Sequence, residues 1–139
     1  MSVGRFIGAI LGDDVEVTIS PGLVIFKCNG RVKSFEPIIY IAPDSHQLIA
    51  IGTSQTPSTR HITVELFRQA GSAEISINKE DCLAMFFRYS FSKIVNRTIL
   101  VRPRVRFYGA DSVNQIGYPR DLLHDAVVKA GARECQFES

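Results

Sequence analysis

Three arginines stand two residues apart at Arg102, Arg104 and Arg106. On an extended strand that spacing puts all three guanidinium groups on one face, with Val101, Pro103, Val105 and Phe107 on the other. Arg is the preferred fork for carboxylates and phosphates, so this face reads as a site for an anion or an acidic partner. The plainer reading is a solvated basic face, because three guanidinium groups cannot be buried without partners. Pro103 argues for an edge position or a bulge in that strand.

Other chemistry-bearing residues converge less. Asp13 and Asp14 read as a solvated turn before a metal pair. Glu16, second in an alternating strand, belongs on its exposed face. A nuclease needs clustered carboxylates, and Glu16, Glu36 and Glu65 are spread without a convergent pattern. His46, His61 and His124 fall in three separate elements, with no acidic or thiol partner at ligand spacing. Cys82 sits near a helix start, which lowers a thiol pKa; a half-buried small residue is the plainer reading. No serine occupies a G-x-S-x-G elbow. Cys28, Cys82 and Cys135 are odd in number and lack a CxxC pair, which argues against a disulfide framework or a zinc site. The expectation is no metal and no cofactor.

The elements that position these residues follow from pattern. The chain has 139 residues, 45% apolar and 22% charged, with a formal net charge of +2. That is the composition of one soluble domain spanning 1–139, since a chain this long buries roughly 68% of its unfolded surface. A charge of +2 gives no reason to expect a nucleic-acid partner. No apolar run approaches the about 18 residues of a membrane span, and the start lacks a secretory signal's regions. The expected location is cytoplasmic.

Val3, Phe6, Ile7, Ile10 and Leu11 form the apolar stripe of a short helix ending near Gly12. VEVTI (15–19) and LVIFKC (23–28) flank Ser20-Pro21-Gly22 as a hairpin. Asn29-Gly30 turns the chain into a third strand through 32–42, and QLIAIG (47–52) makes a fourth. A polar loop (53–60) leads to a ribbon of 61–67 and 73–78 around Gly71-Ser72. Asn78 is a good N-cap for a helix to about Val95, with Glu80 and Asp81 in its first turn. Then come a long strand (97–109), a polar loop, a helix with Pro119 in its first turn, carrying Leu122, Leu123, Ala126, Val127 and Ala130, and a short strand at 134–137. This order predicts an α/β domain with a mixed five-stranded sheet, helices packed on it and a small β-ribbon. The ribonuclease-H-like fold has it.

The residues also carry a family resemblance. FIGAILGDDVEVTI, LVIFKCNGRVKSFEPIIYIA with its Glu36-Pro37, QLIAIG, AEISINKEDCLAMFFRYSFSKI and VVKAGARECQFE stand in the order and near the spacing of corresponding stretches in one family. The chain resembles, nearly end to end, the first domain of the bacterial actin-like rod-shape-determining proteins (MreB). The resemblance implies an actin-like ATPase fold and a cytoskeletal role. In that family an Asp-x-Gly-Thr loop after the first strand grips magnesium and phosphate, because a carboxylate organises the hydrated metal and glycines admit backbone N–H groups. Here Thr18 stands at the Asp position and Ser20 at the Gly position, followed by Pro21 and Gly22. Thr18, Ser20 and Gly22 are therefore relic nucleotide-site residues. The family continues past Glu138-Ser139 into a second domain that completes the clamp. The expectation is no ATPase activity.

The resemblance also implies that Phe6, Ile7, Ile10 and Leu11 contact the membrane surface. With only Arg5 positive and Asp13-Asp14 opposing anionic lipid, such contact would be weak, and packing on the domain or on a partner is the alternative. The expected function is a non-catalytic module that binds protein, itself or a cytoskeletal partner, as a homo-oligomer held by exposed apolar surface. The alternative is a regulator that binds a small anion or nucleotide through the relic cleft and the Arg face.

Overall fold

A computed structural model of the chain describes residues 14–52, 56–67, 78–95 and 102–138. The N-terminal stripe with Phe6, Ile7, Ile10 and Leu11 lies outside them, as do Asp13, Val101 and the strand expected at 73–77. The elements are β1 (Asp14–Ile19), β2 (Val24–Cys28), β3 (Arg31–Phe35), β4 (Ile38–Ile41), β5 (Leu48–Ile51), β6 (Ile62–Glu65), α1 (Lys79–Ile94), β7 (Arg104–Tyr108), α2 (Asp111–Asn114), α3 (Arg120–Lys129) and β8 (Glu134–Glu138).

They form a five-stranded sheet in the order β3-β2-β1-β7-β8 and a three-stranded sheet in the order β5-β4-β6. The large sheet is mixed: β1 pairs antiparallel with β2 and parallel with β7, and β7 parallel with β8. This is the expected α/β architecture. The expected single strand through 32–42 is instead two strands in different sheets. Pro37 has no N–H for a ladder, Ile38 N–H bonds back to the Glu36 carbonyl at 2.8 Å, and Leu66 N–H takes the Pro37 carbonyl at 2.8 Å. The chain changes sheets at this kink. The ribbon partner expected for β6 lies outside the described residues, and β6 pairs with β4.

One face of the large sheet is packed by α1 and α3. Val15, Val17, Ile19, Val24, Phe26, Val105 and Phe107 point into this layer, against Leu83, Phe86, Phe87, Leu123 and Val127. Phe87 sits at the centre, with rings of Phe26, Phe86, Phe91 and Phe107 within 6.2 Å centroid to centroid. Ser90, buried on α1, donates to the Phe86 carbonyl at 2.8 Å, so its hydroxyl is satisfied within the helix. Asn78 caps α1 as expected, its Oδ1 accepting the Glu80 N–H at 2.7 Å. Lys129 at the end of α3 binds Asp81 and Glu80 in the first turn of α1, and Arg88 donates to the Lys129 carbonyl at 2.9 Å. These contacts pin the two helices side by side. The segment read as a polar loop after β7 contains the one-turn helix α2, and Pro119 takes the N-cap of α3, one place earlier than expected. No helix among the described residues is long and apolar enough to cross a membrane.

Candidate functional site

The turn between β1 and β2 carries Ser20 and Gly22, with Thr18 just before it, the residues read above as a relic nucleotide site. Ile19 pairs with Val24, leaving residues 20–23 to make the turn. Ser20 closes it: its N–H reaches the Leu23 carbonyl at 3.1 Å and its hydroxyl the same oxygen at 2.8 Å. Pro21 contributes no donor. Gly22 is exposed, with open space where a Cβ would stand. Thr18 lies on β1 with its side chain exposed, on the face opposite the helices. Behind the turn, Gly109 approaches β1 so closely that a Cβ there would come within 2.6 Å of the Ile19 carbonyl oxygen. Ser112 donates to that same oxygen at 3.2 Å.

Beside the turn opens a cleft of about 350 Å³ lined by Pro21, Gly22, Glu36, Pro37, Ile38, Glu65 and Phe67. It lies where the kink after β3 and the end of β6 meet the turn. Its ionisable groups among the described residues are Glu36 and Glu65, so the structure brings together two of the three strand glutamates that the sequence left dispersed. Glu16 stays apart, on the open face of the large sheet. Polyphosphate recognition needs cations or a nest of free N–H groups. Among the described residues this cleft presents two glutamates and apolar walls. Glu36-Pro37 was visible as a motif, but the approach of Glu65 follows only from the pairing of Glu65 with Ile38 across β4 and β6.

The arginines belong to β7 and the residues just before it, in the large sheet. Pro103 precedes β7 and lends its carbonyl to Arg133 N–H at 2.8 Å; β7 itself is an interior strand, so the expectation of an edge or bulge is overturned. A proline at the threshold of a strand removes no ladder bond. Arg102 also precedes the described strand and is exposed. Arg104 and Arg106 share the uncovered face, so one face of the strand is solvated.

That face is laid out in rows by the register. Asp14, Arg104 and Glu134 stand abreast, and Lys27, Glu16, Arg106 and Gln136 form the next row. Arg104 is engaged: its Nε donates to Asp14 at 2.8 Å, a second nitrogen reaches the same carboxylate at 3.3 Å, and Glu134 lies 3.7 Å away. The hydrogen bond and charge of Asp14 hold the Arg104 guanidinium above its ordinary pKa. Alternating charges satisfy one another across the sheet, which leaves Arg106 and Arg102 as the less committed cations.

Burial raises the Cys82 thiol to about 11, with Asp81 adding to it, and raises Cys135 to about 12. The direction for Cys82 is opposite to the activating one that a helix start would give, because desolvation outweighs the dipole. His46 sits in a turn with φ of 58°, His61 donates its Nδ1–H to the Thr59 carbonyl and meets Tyr40 edge-on, and His124 neighbours Asp125. The three are not brought together. Among the described residues no cluster of three or more His, Cys, Asp or Glu could hold a metal ion. Among the described residues the exposed large apolar side chains are Leu23, Val32, Ile49 and Val128.

No protein-family model matches the chain, and no curated protein does. Among solved structures, thirteen chains match. One is MreB5 of Spiroplasma citri bound to ADP, at a TM-score of 0.62 and 14% identity, covering 91% of this chain and 38% of that one. The likeness establishes an actin-like fold similar to that of MreB. This chain thus spans well under half the length of that relative.

Proposed function

We propose that this chain is a non-catalytic, ribonuclease-H-like module of the actin-like class that works by binding protein, in assemblies of itself or with a cytoskeletal partner. The observation that supports the non-catalytic half is the turn at 20–23, where Ser20 spends its N–H and hydroxyl on Leu23; the sequence resemblance sets Thr18 and Ser20 at the positions of a metal-organising carboxylate and a glycine. The solved structure of MreB5 of Spiroplasma citri, similar in fold, is bound to ADP. The anion-regulator reading draws less support, since Arg104 is already engaged by Asp14 and Glu134.

Two measurements test this reading. Magnesium-ATP titrated calorimetrically into the protein should give no binding heat, and phosphate release should stay at the level of buffer. Sedimentation velocity over a hundredfold range of concentration should show a mass that rises with concentration. Micromolar affinity for ATP overturns the non-catalytic half; an invariant monomer overturns self-assembly.

A further inference from the structure

The edge strand β3 has a surface that neither the cleft nor the arginine face uses. Its inner neighbour is β2, and no other strand among the described residues pairs with its other side. Asn29 and Gly30 form the two-residue loop between them, with φ of 50° and 79°. The residues flanking such a loop, Cys28 and Arg31, make a hydrogen-bonded pair, and bonded and non-bonded pairs then alternate. Phe26 with Lys33 is therefore a bonded pair, while Val32 and Ser34, opposite Lys27 and Ile25, are not. The backbone N–H and C=O of Val32 and Ser34 consequently point away from β2, towards that other side. Among the described residues no other backbone group meets them.

Arg31 through Ser34 are all exposed, and Val32 keeps 59% of its surface. Arg31 and Lys33 share one face of the strand, on the side of α1. Arg31 donates to the carbonyls of Ile94 and Lys93, which holds the end of α1 beside the strand. Lys93 adds a third cation there, over the ring of Tyr89, which in turn meets Phe35 edge-on at 6.1 Å. From Arg31 to Phe35 there is no carboxylate.

We propose that β3 docks an extended acidic segment of a partner protein, running antiparallel to it. The segment's backbone bonds to Val32 and Ser34, and carboxylates at alternate positions face Arg31 and Lys33. Cations on an edge turn away apolar strands. A second copy's β3 would set Arg31 and Lys33 against like charges, so this chain does not pair with itself here. An acidic strand meets the opposite situation. At Arg31 and Lys33 it forms the non-bonded type of pair, in which side chains approach most closely. Backbone pairing supplies affinity and alternate side chains supply selectivity, as in strand addition generally. The proposal deepens the protein-binding reading and rests on it for its partner class.

The test uses a fluorescein-labelled peptide alternating Glu with Val and Thr, a scrambled peptide of the same composition, and a version with Lys in place of Glu. The alternating peptide should bind about tenfold more tightly than the scrambled one, and Lys33→Glu should weaken it by a similar factor. Amide exchange should slow at Val32 and Ser34 on binding. Lys33→Gln, with far-UV circular dichroism, guards against a folding defect. Equal binding of the scrambled peptide, unchanged exchange at Val32 and Ser34, or indifference to Lys33→Glu overturns the proposal. So does retention on phosphatidylserine vesicles or an oligonucleotide through Lys33 without peptide binding, which assigns the edge to another class of ligand. Light scattering on the same samples keeps the readings apart: a chain that assembles but ignores the peptide fails only this proposal.

Discussion

The two faces of the large sheet are built from the same strands and could hardly differ more. Under the helices, Val15, Val17, Ile19, Val24, Phe26, Cys28, Val105 and Phe107 are each no more than 3% exposed. On the opposite face Asp14, Glu16, Thr18, Lys27 and Arg106 stand in solvent. A period of two delivers both faces from one chain. The covered face is held by area, ring contacts and shape, so each residue matters. The open face is held by short charge pairs in water, each worth little. Its chemistry is therefore free to vary without endangering the fold, whereas a partner-binding edge such as β3 lies where covered and open faces meet.

Substitutions on the two faces sharpen that contrast. Phe87→Ala, at the centre of the covered face, should lower unfolding free energy by about 3–5 kcal/mol in urea titration, out of a typical total of about 5–15 kcal/mol. A loss below about 1 kcal/mol would mean that the ring cluster is not the core. Gly109→Ala, where φ is 77° and a Cβ would meet the Ile19 carbonyl, should cost about 1–3 kcal/mol by the same measurement. Next comes Asn78→Ala, which removes the cap of α1 and should cost about 1 kcal/mol, read as a shift in melting temperature. Arg106→Ser on the open face should stay within about 0.5 kcal/mol of the parent protein. A larger loss there would break the comparison.

The thiols give a pH test of the covered side. Cys82 and Cys135 have folded pKa values raised from 9.0 to about 11 and about 12 by burial. The unfolded chain loses these protons first, so their contribution is complete below pH 9 and disappears as pH rises towards 11–12. Urea midpoints should fall across that window, and alkylation of the native protein at pH 8 should be slow. Rapid labelling of Cys82 at pH 8 would show that its helix start, rather than its burial, controls it.

Much of the fold was legible because local signals were strong. Alternation in VEVTI and VIFKC, the Asn29-Gly30 turn and the Asn78 cap each act within a few residues, and β1, β2 and the start of α1 stand within a residue or two of their expected places. The strand through 32–42 was misread because alternation continues across Pro37 although the sheet does not. Pro103 was misread for a related reason: a proline's effect depends on whether it stands inside a ladder or one step before it. The turn at Ser20-Pro21-Gly22 was legible from those residue types. The cleft beside it was not, since Glu36 and Glu65 are joined only by cross-strand pairing.

The sequence by itself determined which residues face inward, where the turns fall and that the loop after β1 carries no carboxylate, because these depend on residue type and near neighbours. Only the tertiary structure decided that Arg104 meets Asp14 ninety residues away, that Glu36 and Glu65 share a cleft, and that β3 is left at an edge. Those outcomes depend on strand order and register, which arise from contacts distant in the chain and are written in no single stretch of it.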